Sequence, residues 1–463
     1  MSEDGGVSRG GGASRDGGAS GRPARLWVGL LLNGGARALV VAAPLVTLPL
    51  VTGSLGRTTY GAYAVIAAIA TLLPWADLGV GLGMVTAVAR ASGRHDDAEV
   101  RAVVSTGLAL LLSVGGVLLL LTAVLATTVD WRTALGVTDP GVVGDVGLAA
   151  VVVLLAFAAG IPAGLGTKVM LGLQMNRALA FWQAAAVPAV VLAVVVAYLA
   201  GAGLPWFLLA TVGSPVLVAL AGTLWLFGRA RPDLAPRFAL ARSREVRALL
   251  ALGLVFSVNS AAATIGFATD SIVISHVLGV DAVAVYNIGA RLSAVALLVY
   301  QGLLLPLWPV FGAGLAAREY VRTRALLRRA VLISLGAGAV TAVVFVAATP
   351  GVVRLWVGGE YVPSTGLLVA LAAWSLVQFA AYPFALLFSG AGAMRLLLWT
   401  ALAMAAANLP LSIVLAHTVG IAGPAWASCV SIAVCVLLPS VYAANRYAER
   451  PVREPVAEPA VAP

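Results

Sequence analysis

Long hydrophobic runs recur along the chain from Leu26 to Ala444, separated by short clusters of glycine, proline and charged residues. A helix needs about 20 apolar residues to cross the hydrocarbon core of a bilayer. Runs such as 108–125 and 184–199 lack the alternation of a transmembrane β-strand, so the pattern excludes a β-barrel. The pattern predicts twelve helical spans, at about 26–52, 61–89, 102–126, 147–167, 178–200, 205–228, 248–276, 283–312, 330–350, 365–388, 396–416 and 420–444.

The composition agrees with a membrane protein. Of the 463 residues, 61% are hydrophobic and 10% are charged, whereas a soluble domain is about half apolar and about a quarter charged. Residues 1–25 have almost nothing to bury and are predicted to form a disordered tail, and residues 445–463 form a second tail. A signal peptide would place its apolar core closer to Met1, so the first run is expected to be a retained helix. The chain is predicted to be an all-α polytopic membrane protein.

Basic residues are unevenly distributed between the two sides of the predicted bundle. Of the 29 arginines and lysines, 24 fall on the side of the two tails and 3 fall on the other side. The positive-inside rule then places both termini in the cytoplasm. Because these residues lie in short patches between apolar runs, the net charge of +10 reflects topology and does not indicate a nucleic-acid partner.

A basic loop, residues 229–247, lies at the middle of the chain and separates six spans from six. The predicted domains are therefore an N-terminal six-helix bundle at 26–228 and a C-terminal six-helix bundle at 248–444. Two halves that each contain an even number of helices point the same way across the membrane, related by an axis along its normal.

A short motif supports an internal repeat. Leu55-Gly56, followed by Tyr63, recurs as Leu278-Gly279, followed by Tyr286, with an offset of 223 residues. The two copies fall at corresponding positions of the two predicted bundles, on the way into the second helix of each.

Four charged residues lie inside predicted spans, where each is costly unless it is paired, solvated or close to a helix end. Counting outward from the nearest turn places Arg37 and Asp77 at one depth, and Asp270 and Arg291 at another. Two interpretations stay open: salt bridges that fix helix packing, or groups that line a water-filled cavity and bind an anion. Asn259, in the seventh span, is a further candidate for a hydrogen bond to substrate.

Prolines in spans free backbone carbonyls and permit bending. Pro44 and Pro49 in the first helix, and Pro306 and Pro309 near the end of the eighth, are predicted hinge or gating positions. The sequence contains no metal-binding His/Cys spacing, phosphate-binding loop or nucleophile with a plausible base. We therefore predict no cofactor, no metal and no enzymatic activity.

Several motifs together resemble the oligosaccharide and polysaccharide flippases of the multidrug/oligosaccharidyl-lipid/polysaccharide exporter superfamily. Their order and spacing carry the resemblance, which covers nearly the whole chain outside the tails. The matching pieces are Leu55-Gly56, Tyr60-Gly61-Ala62-Tyr63, Asp77-Leu78-Gly79-Val80-Gly81, Asp96-Asp97 ahead of Ser105-Thr106, Leu171-Gly172-Leu173-Gln174, Asp270, Leu278-Gly279, Tyr286, Arg291, Leu307-Trp308-Pro309 and a basic loop from Arg318.

The resemblance implies two six-helix bundles around a central cavity that opens alternately to either side of the membrane. It implies transport of an undecaprenyl-diphosphate-linked glycan from the cytoplasmic to the outer leaflet of a bacterial plasma membrane. The implied partners are membrane lipids and the glycan polymerase or glycosyltransferases of the same pathway. Helices one, two, seven and eight would line the cavity, and these helices carry Arg37, Asp77, Asp270 and Arg291.

Two alternatives remain open. The first is a drug or toxin extruder of the same superfamily, coupled to protons or sodium. Its cavity would be acidic for a cationic cargo, whereas the spans here contain two arginines and two aspartates. The second is an envelope glycan polymerase or glycosyltransferase, which would present catalytic residues on a sizeable outer loop. The longest such loop, about 127–146, offers only Asp130, Asp139 and Asp145.

Overall fold

The structure of the protein is a computed structural model. It describes the backbone of residues 22–72, 77, 79–142, 144–240, 246 and 269–447, and most of their side chains from residue 43 onward. All regular secondary structure in these ranges is helical. The α-helices are α1 (Arg22–Leu72), α2 (Val80–Gly93), α3 (Asp97–Thr128), α4 (Trp131–Ala134), α5 (Val146–Ala163), α6 (Leu165–Gly172), α7 (Asn176–Leu199), α8 (Leu204–Leu208), α9 (Ser214–Trp225), α10 (Asp270–Leu278), α11 (Val280–Leu304), α12 (Leu307–Ala316), α13 (Tyr320–Trp356), α14 (Thr365–Gly390), α15 (Met394–Val419), α16 (Gly423–Ile432) and α17 (Leu438–Tyr447).

Eight helical stretches of the described residues are long and apolar enough to cross a membrane. Large apolar side chains project from them, and Leu120 and Leu355 have 71% and 92% of their surface exposed. Apolar surface on this scale is unfavourable in water and suits contact with lipid tails. The prediction of a multi-pass helical membrane protein is confirmed.

The terminal helices extend slightly past their predicted limits. α1 begins at Arg22 and α17 ends at Tyr447, so short parts of the tails 1–25 and 445–463 are helical. The other tail residues lie outside the described ranges.

The second predicted span is interrupted, which corrects the expectation of one helix over 61–89. α1 ends at Leu72 and α2 begins at Val80. Gly79 precedes α2 with a φ of 73°, in the left-handed region that glycine adopts without a steric penalty. The break bears on function because Asp77 lies within it.

The four predicted hinge prolines fall in two settings. Pro306 lies between α11 and α12, where the missing N–H of proline interrupts the eighth predicted span. Pro309 lies in the first turn of α12, which tolerates proline. Pro44 and Pro49 instead lie within α1, whose non-helical residue is Gly56. Movement at these four prolines stays a prediction.

The backbone repeats its turns from one half of the chain to the other. Gly56 joins the first two spans with φ 70° and ψ 172°, and Gly279 joins the seventh and eighth with φ 86° and ψ 169°. His95 and Arg318, again 223 residues apart, both have a φ of 58°. Three further pairs with positive φ, separated by 218 to 222 residues, lie at the remaining connections: Gly136 with Gly358, Gln174 with Gly392, and Gly201 with Gly420. This series of matched turns supports the internal repeat.

Packing differs between the two ends of the bundle. We call residues 22–240 the first half and 269–447 the second half. The end with the Gly56 and Gly279 turns is the Gly56 end, and the opposite end is the Arg231 end. At the Gly56 end one apolar core joins both halves and includes Tyr60, Val65, Ile66, Phe207, Val280, Val283, Ile288, Tyr361 and Leu367.

At the Arg231 end the described residues form two separate cores. One core belongs to the first half and includes Met84 and Val169. The other belongs to the second half and includes Phe311 and Phe388. The described parts of the two halves are thus packed together at the Gly56 end and have independent cores at the Arg231 end.

Candidate functional site

The two halves meet most closely where α1 packs against the start of α11. A side chain at Gly61 would overlap the carbonyl oxygen of Val280 and lie 2.6 Å from its carbonyl carbon. Glycine therefore permits the close approach of the two backbones. Hydrogen bonds between described residues join the halves at this end, among them Trp356 Nε1 to Leu45 O at 2.8 Å, Ser275 Oγ to Leu135 O at 2.7 Å, and Arg57 Nη1 to Glu360 O at 3.1 Å.

Arg291 lies at this interface, on α11, and faces two tyrosines of the first half. Its guanidinium interacts with the phenol oxygen of Tyr60 and lies near that of Tyr63. The contact with Tyr60 is electrostatic and lacks ideal hydrogen-bond geometry, because Arg291 Nε and Tyr60 Oη are both buried without a hydrogen-bond partner. Tyr63 donates a 3.1 Å hydrogen bond to Thr211, which fixes its ring, and the two tyrosine rings stack 5.7 Å apart.

Asp270 and Arg291 do not form the salt bridge that was one of the two interpretations of the sequence. Asp270 Oδ2 accepts a 2.7 Å hydrogen bond from Tyr286, and no described carboxylate lies within 4 Å of Arg291. The physical reason is the register of the two helices. The chain reverses at Gly279, and this reversal brings Asp270 opposite Tyr286. Asn287 and Ser271 form a second such pair at 3.0 Å.

Asp270 belongs to a buried polar network inside the second half. Only 4% of its surface is exposed, and Ser412 and Asn408 are fully buried. Because a buried polar group without a partner is costly, these hydroxyl and amide groups stabilise the carboxylate and fix the packing of four helices. Tyr286 donates to Asp270 Oδ2. Ser412 Oγ lies 3.4 Å from Asp270 Oδ1 and 3.3 Å from Asn408 Oδ1, and Asn408 Nδ2 donates a 2.9 Å hydrogen bond to Ser428 Oγ.

Asp77 has a local structural role in the break before α2. Its two carboxylate oxygens accept hydrogen bonds from the backbone N–H groups of Gly79 at 2.9 Å and Gly81 at 3.3 Å. A carboxylate at this position satisfies otherwise unpaired N–H groups and interacts favourably with the helix dipole. The predicted partner, Arg37, lies in the described backbone of α1, but its side chain is outside the described part, as is the whole of Asn259.

Lys168 joins Asp77 at this position, and sequence reasoning missed it. A Cβ on Gly81 would lie 2.6 Å from Asp77 Oδ2 and 3.2 Å from Lys168 Nζ, so the two charged groups flank the same glycine without forming an ion pair within 4 Å. Lys168 is the only lysine of the chain, a signal that could have singled it out. The hydropathy pattern assigned it to a turn, whereas it lies within α6.

Arg291 and Lys168 give the interior of the bundle two cations that have no carboxylate within ion-pair distance among the described residues. An unpaired charge at membrane depth is expensive, so such residues usually face a partner, water or a ligand. Both are partly exposed, and an anion could reach them. Within the described residues no three His, Cys, Asp or Glu side chains come together as a metal site.

Ion pairs of the described residues concentrate at the Arg231 end. Arg231 lies 2.8 Å from Asp233 and 3.0 Å from Asp97, which ties the loop after the sixth span to the start of α3. The hydrogen bond from Arg231 lowers the pKa of Asp233, and the same contact raises the pKa of Arg231. This end is therefore charged and solvated, as the prediction of a membrane surface requires.

A family model of polysaccharide biosynthesis proteins matches residues 26–315, which include the Gly56 turn, Asp77, Lys168 and Arg291. The chain belongs to this family. Solved transporters of the MOP superfamily share its fold over almost the whole chain. No curated protein matches the sequence.

Three solved structures illustrate the shared fold. A multidrug resistance MATE family transporter in an inward-facing conformation is 17% identical, with a TM-score of 0.74 over 92% of this chain and 98% of its own. A multidrug resistance MATE family transporter in an outward-facing conformation is 16% identical, with a TM-score of 0.61 over 92% of this chain and 96% of its own. A Pyrococcus furiosus MOP superfamily transporter, described as having a binding pocket of reverse polarity, is 17% identical, with a TM-score of 0.61 over 92% and 96%. The twelve-helix transporter fold predicted from the sequence is confirmed.

Proposed function

We propose that this polysaccharide biosynthesis protein moves an undecaprenyl-diphosphate-linked oligosaccharide or polysaccharide precursor from the cytoplasmic to the outer leaflet of a bacterial plasma membrane. The observation that carries the proposal is Arg291, a partly exposed cation between the two halves that faces tyrosine hydroxyls and no described carboxylate. Glycosyltransferases of the same pathway would supply the cargo, and a glycan polymerase would use it.

The chemistry of the diphosphate link suits this environment. A guanidinium presents several N–H donors in a planar fork that matches phosphate oxygens. The hydroxyl of Tyr60 lacks a hydrogen-bond partner, so it is available as a further donor beside Arg291. Lys168 would provide a second positive charge in the first half, near the break at Asp77. A negatively charged cargo would thus relieve the cost of burying these cations.

The packing supports alternating access. One core closes the Gly56 end, and separate cores at the Arg231 end allow the described parts of the halves to move as two bodies. The uneven distribution of basic residues makes the Arg231 end the proposed cytoplasmic side, with both termini there. The described conformation would then be the one that loads cargo from the cytoplasm.

A cation-coupled drug extruder is the second candidate, and Asp270 is the observation that favours it. This carboxylate is 4% exposed and has no basic partner among the described residues. Its two oxygens, however, are held by Tyr286 and Ser412, and its closed network leaves little access for a cationic cargo. Arg291 is the more accessible charge, which favours an anionic cargo.

The test compares two cargoes in proteoliposomes. Arg291→Gln is expected to slow translocation of a fluorescent undecaprenyl-diphosphate glycan at least tenfold, since a charge-assisted hydrogen bond contributes about 1.5–3 kcal/mol. Arg291→Lys should restore part of the rate, and Arg354→Gln, which removes an exposed arginine at the Gly56 end, should leave it unchanged. Export of cationic dyes with no translocation of the lipid-linked glycan would overturn the proposal in favour of the extruder.

A further inference from the structure

A pocket lies entirely within the second half, away from the interface that carries Arg291. α12, α13, α14 and α17 surround it at the Arg231 end, and its volume is about 360 Å³. Its walls combine an apolar interior with two arginines, a tyrosine and an asparagine. The lining includes Leu315, Tyr320, Arg324, Leu327, Arg328 and Phe384.

The polar residues of the pocket form one stripe on α13. Tyr320, Arg324 and Arg328 follow each other at intervals of four residues, and side chains spaced in this way share one face of a helix. Neither arginine forms an ion pair or hydrogen bond with a described residue, in contrast to Arg322, which pairs with Glu319 at 3.2 Å. The pocket therefore holds two uncompensated positive charges.

The hydroxyl of Tyr320 is a separate indication of a ligand. It is buried and has no hydrogen-bond partner among the described residues. Buried hydroxyl groups are nearly always satisfied, so an unpartnered one calls for an explanation. A ligand oxygen held by the two arginines would supply the missing partner.

The position of the stripe along α13 matches the headgroup level of a bilayer. The continuous apolar part of this helix begins at Ala330, directly after Arg329 and two residues, about 3 Å, from Arg328. Arg324 lies one turn farther out, about 6 Å along the axis. The headgroup layer extends about 5–8 Å beyond the hydrocarbon core, so Arg328 falls within it and Arg324 lies near its outer boundary.

The apolar side of the pocket opens toward the membrane. Leu332 and Val441 line it and have 59% and 41% of their surface exposed, whereas Leu315 and Phe384 form its buried wall. A ligand that fits has a phosphate at the arginine level and a hydrocarbon chain beside these residues. A soluble anion would leave the apolar wall empty. A zwitterionic lipid would compensate the two arginines less well, because its ammonium group cancels the charge of its phosphate.

We propose that this pocket is a binding site for an anionic phospholipid of the leaflet at the Arg231 end. Basic pockets between membrane helices recognise lipid phosphates in this manner. The bound lipid would link α13 to α14 and α17 and stabilise the second half as one body. The proposal is independent of the cargo and of the direction of transport.

The experiment measures lipid binding to the purified full chain by native mass spectrometry, with phosphatidylglycerol and phosphatidylethanolamine as probes. The wild-type protein is expected to retain one phosphatidylglycerol in preference to phosphatidylethanolamine. Arg324→Gln/Arg328→Gln should weaken retention about 25-fold, the product of about fivefold for each basic residue at the surface. The matched control, Arg322→Gln/Arg329→Gln, removes two charges from the same turns at positions that do not line the pocket, and it should bind as the wild type does.

Four further results would overturn the proposal. An equal loss of binding in the control would show a diffuse surface charge and no pocket. Unchanged lipid retention in Val441→Trp, which places a large ring at the membrane opening, would show that the apolar wall is not used. Displacement of the lipid by millimolar inorganic phosphate, or a preference for undecaprenyl diphosphate over phosphatidylglycerol, would assign the pocket to a soluble anion or to the cargo.

Discussion

Replacement of Gly61 by alanine should shift the transporter away from the conformation that is closed at the Gly56 end. In the described structure a Cβ at this position would overlap the carbonyl oxygen of Val280 and lie 2.6 Å from its carbonyl carbon. Both atoms belong to the backbone and cannot rotate aside as the end of a side chain could. The halves must therefore separate where α1 meets α11.

The size of the effect follows from the geometry. Ordinary contact begins near 3.4 Å, so the backbones must separate by at least about 0.8 Å at this point. Overpacking of this kind costs about 1–3 kcal/mol, which corresponds to a shift of about 5- to 150-fold in the equilibrium between closed and open conformations. Alanine favours the helix over glycine by up to about 1 kcal/mol, but it does so in both conformations, and this gain cancels.

The assay measures the distance between spin labels on the two halves at the Gly56 end. Thr138→Cys and Gly359→Cys provide exposed attachment sites in the first and second halves, in a background where Cys429 and Cys435 are replaced by alanine. In Gly61→Ala the population with the longer distance should rise by the factor given above. Initial rates of glycan translocation should fall if closure of this end limits the cycle.

Gly53→Ala is the matched control. It lies near the same turn, at the end of the first span and three residues before Gly56, and a Cβ there meets no atom within 4 Å. It should leave the distance distribution unchanged. A folded Gly61→Ala protein with the wild-type distribution would refute the reasoning, because it would show that the close backbone approach does not control closure.

Three further predictions concern topology and stability. A reporter fused after Arg244 should be cytoplasmic and one within 138–143 external, and fusions that both locate to one side would rule out the twelve-span arrangement. Tyr286→Phe removes the hydrogen bond to the buried carboxylate opposite it and should lower the free energy of unfolding by about 1–3 kcal/mol, measured in detergent by thermal unfolding; an unchanged Tm would contradict this. Because Arg231 lowers the pKa of Asp233, their pair stabilises the fold above the ordinary carboxyl pKa and is lost as pH falls through the lowered value. Solvent exposure keeps this contribution below about 1 kcal/mol, so Asp233→Asn should change Tm little at neutral pH, and a large decrease would show that the pair is effectively buried.

Hydropathy alone determined the class of the protein and the approximate position of its spans. The reason is that a bilayer imposes a length and an apolar composition on every crossing, whatever the neighbouring helices do. The repeated Leu-Gly motif predicted the internal repeat, and both of its glycines occupy turns with positive φ, a conformation that glycine adopts without a steric penalty. Sequence reasoning could not detect that His95 and Arg318 form an equivalent pair of left-handed turns, since neither residue type signals that conformation.

The sequence was a poorer guide to which residues face each other on neighbouring helices. Counting from an estimated turn centre paired Asp270 with Arg291, and a turn at Gly279 brought Asp270 to Tyr286 instead. An error of one or two residues in the turn moves a side chain by about 100–200° around its helix. Depth can therefore be estimated from sequence, whereas the facing residue depends on the register that the tertiary structure sets.

The sequence by itself determined that charges occur inside the membrane, and that they fall on helices that the resemblance assigns to a transport path. Only the tertiary structure decided their roles: Asp77 caps α2, Lys168 lies beside it, and Arg291 faces Tyr60 across the two halves. It also decided that the described parts of the two halves share one apolar core at the Gly56 end and have separate cores at the Arg231 end. The physical reason is that hydrophobicity fixes which segments enter the bilayer, while the choice of neighbours depends on close packing between segments hundreds of residues apart.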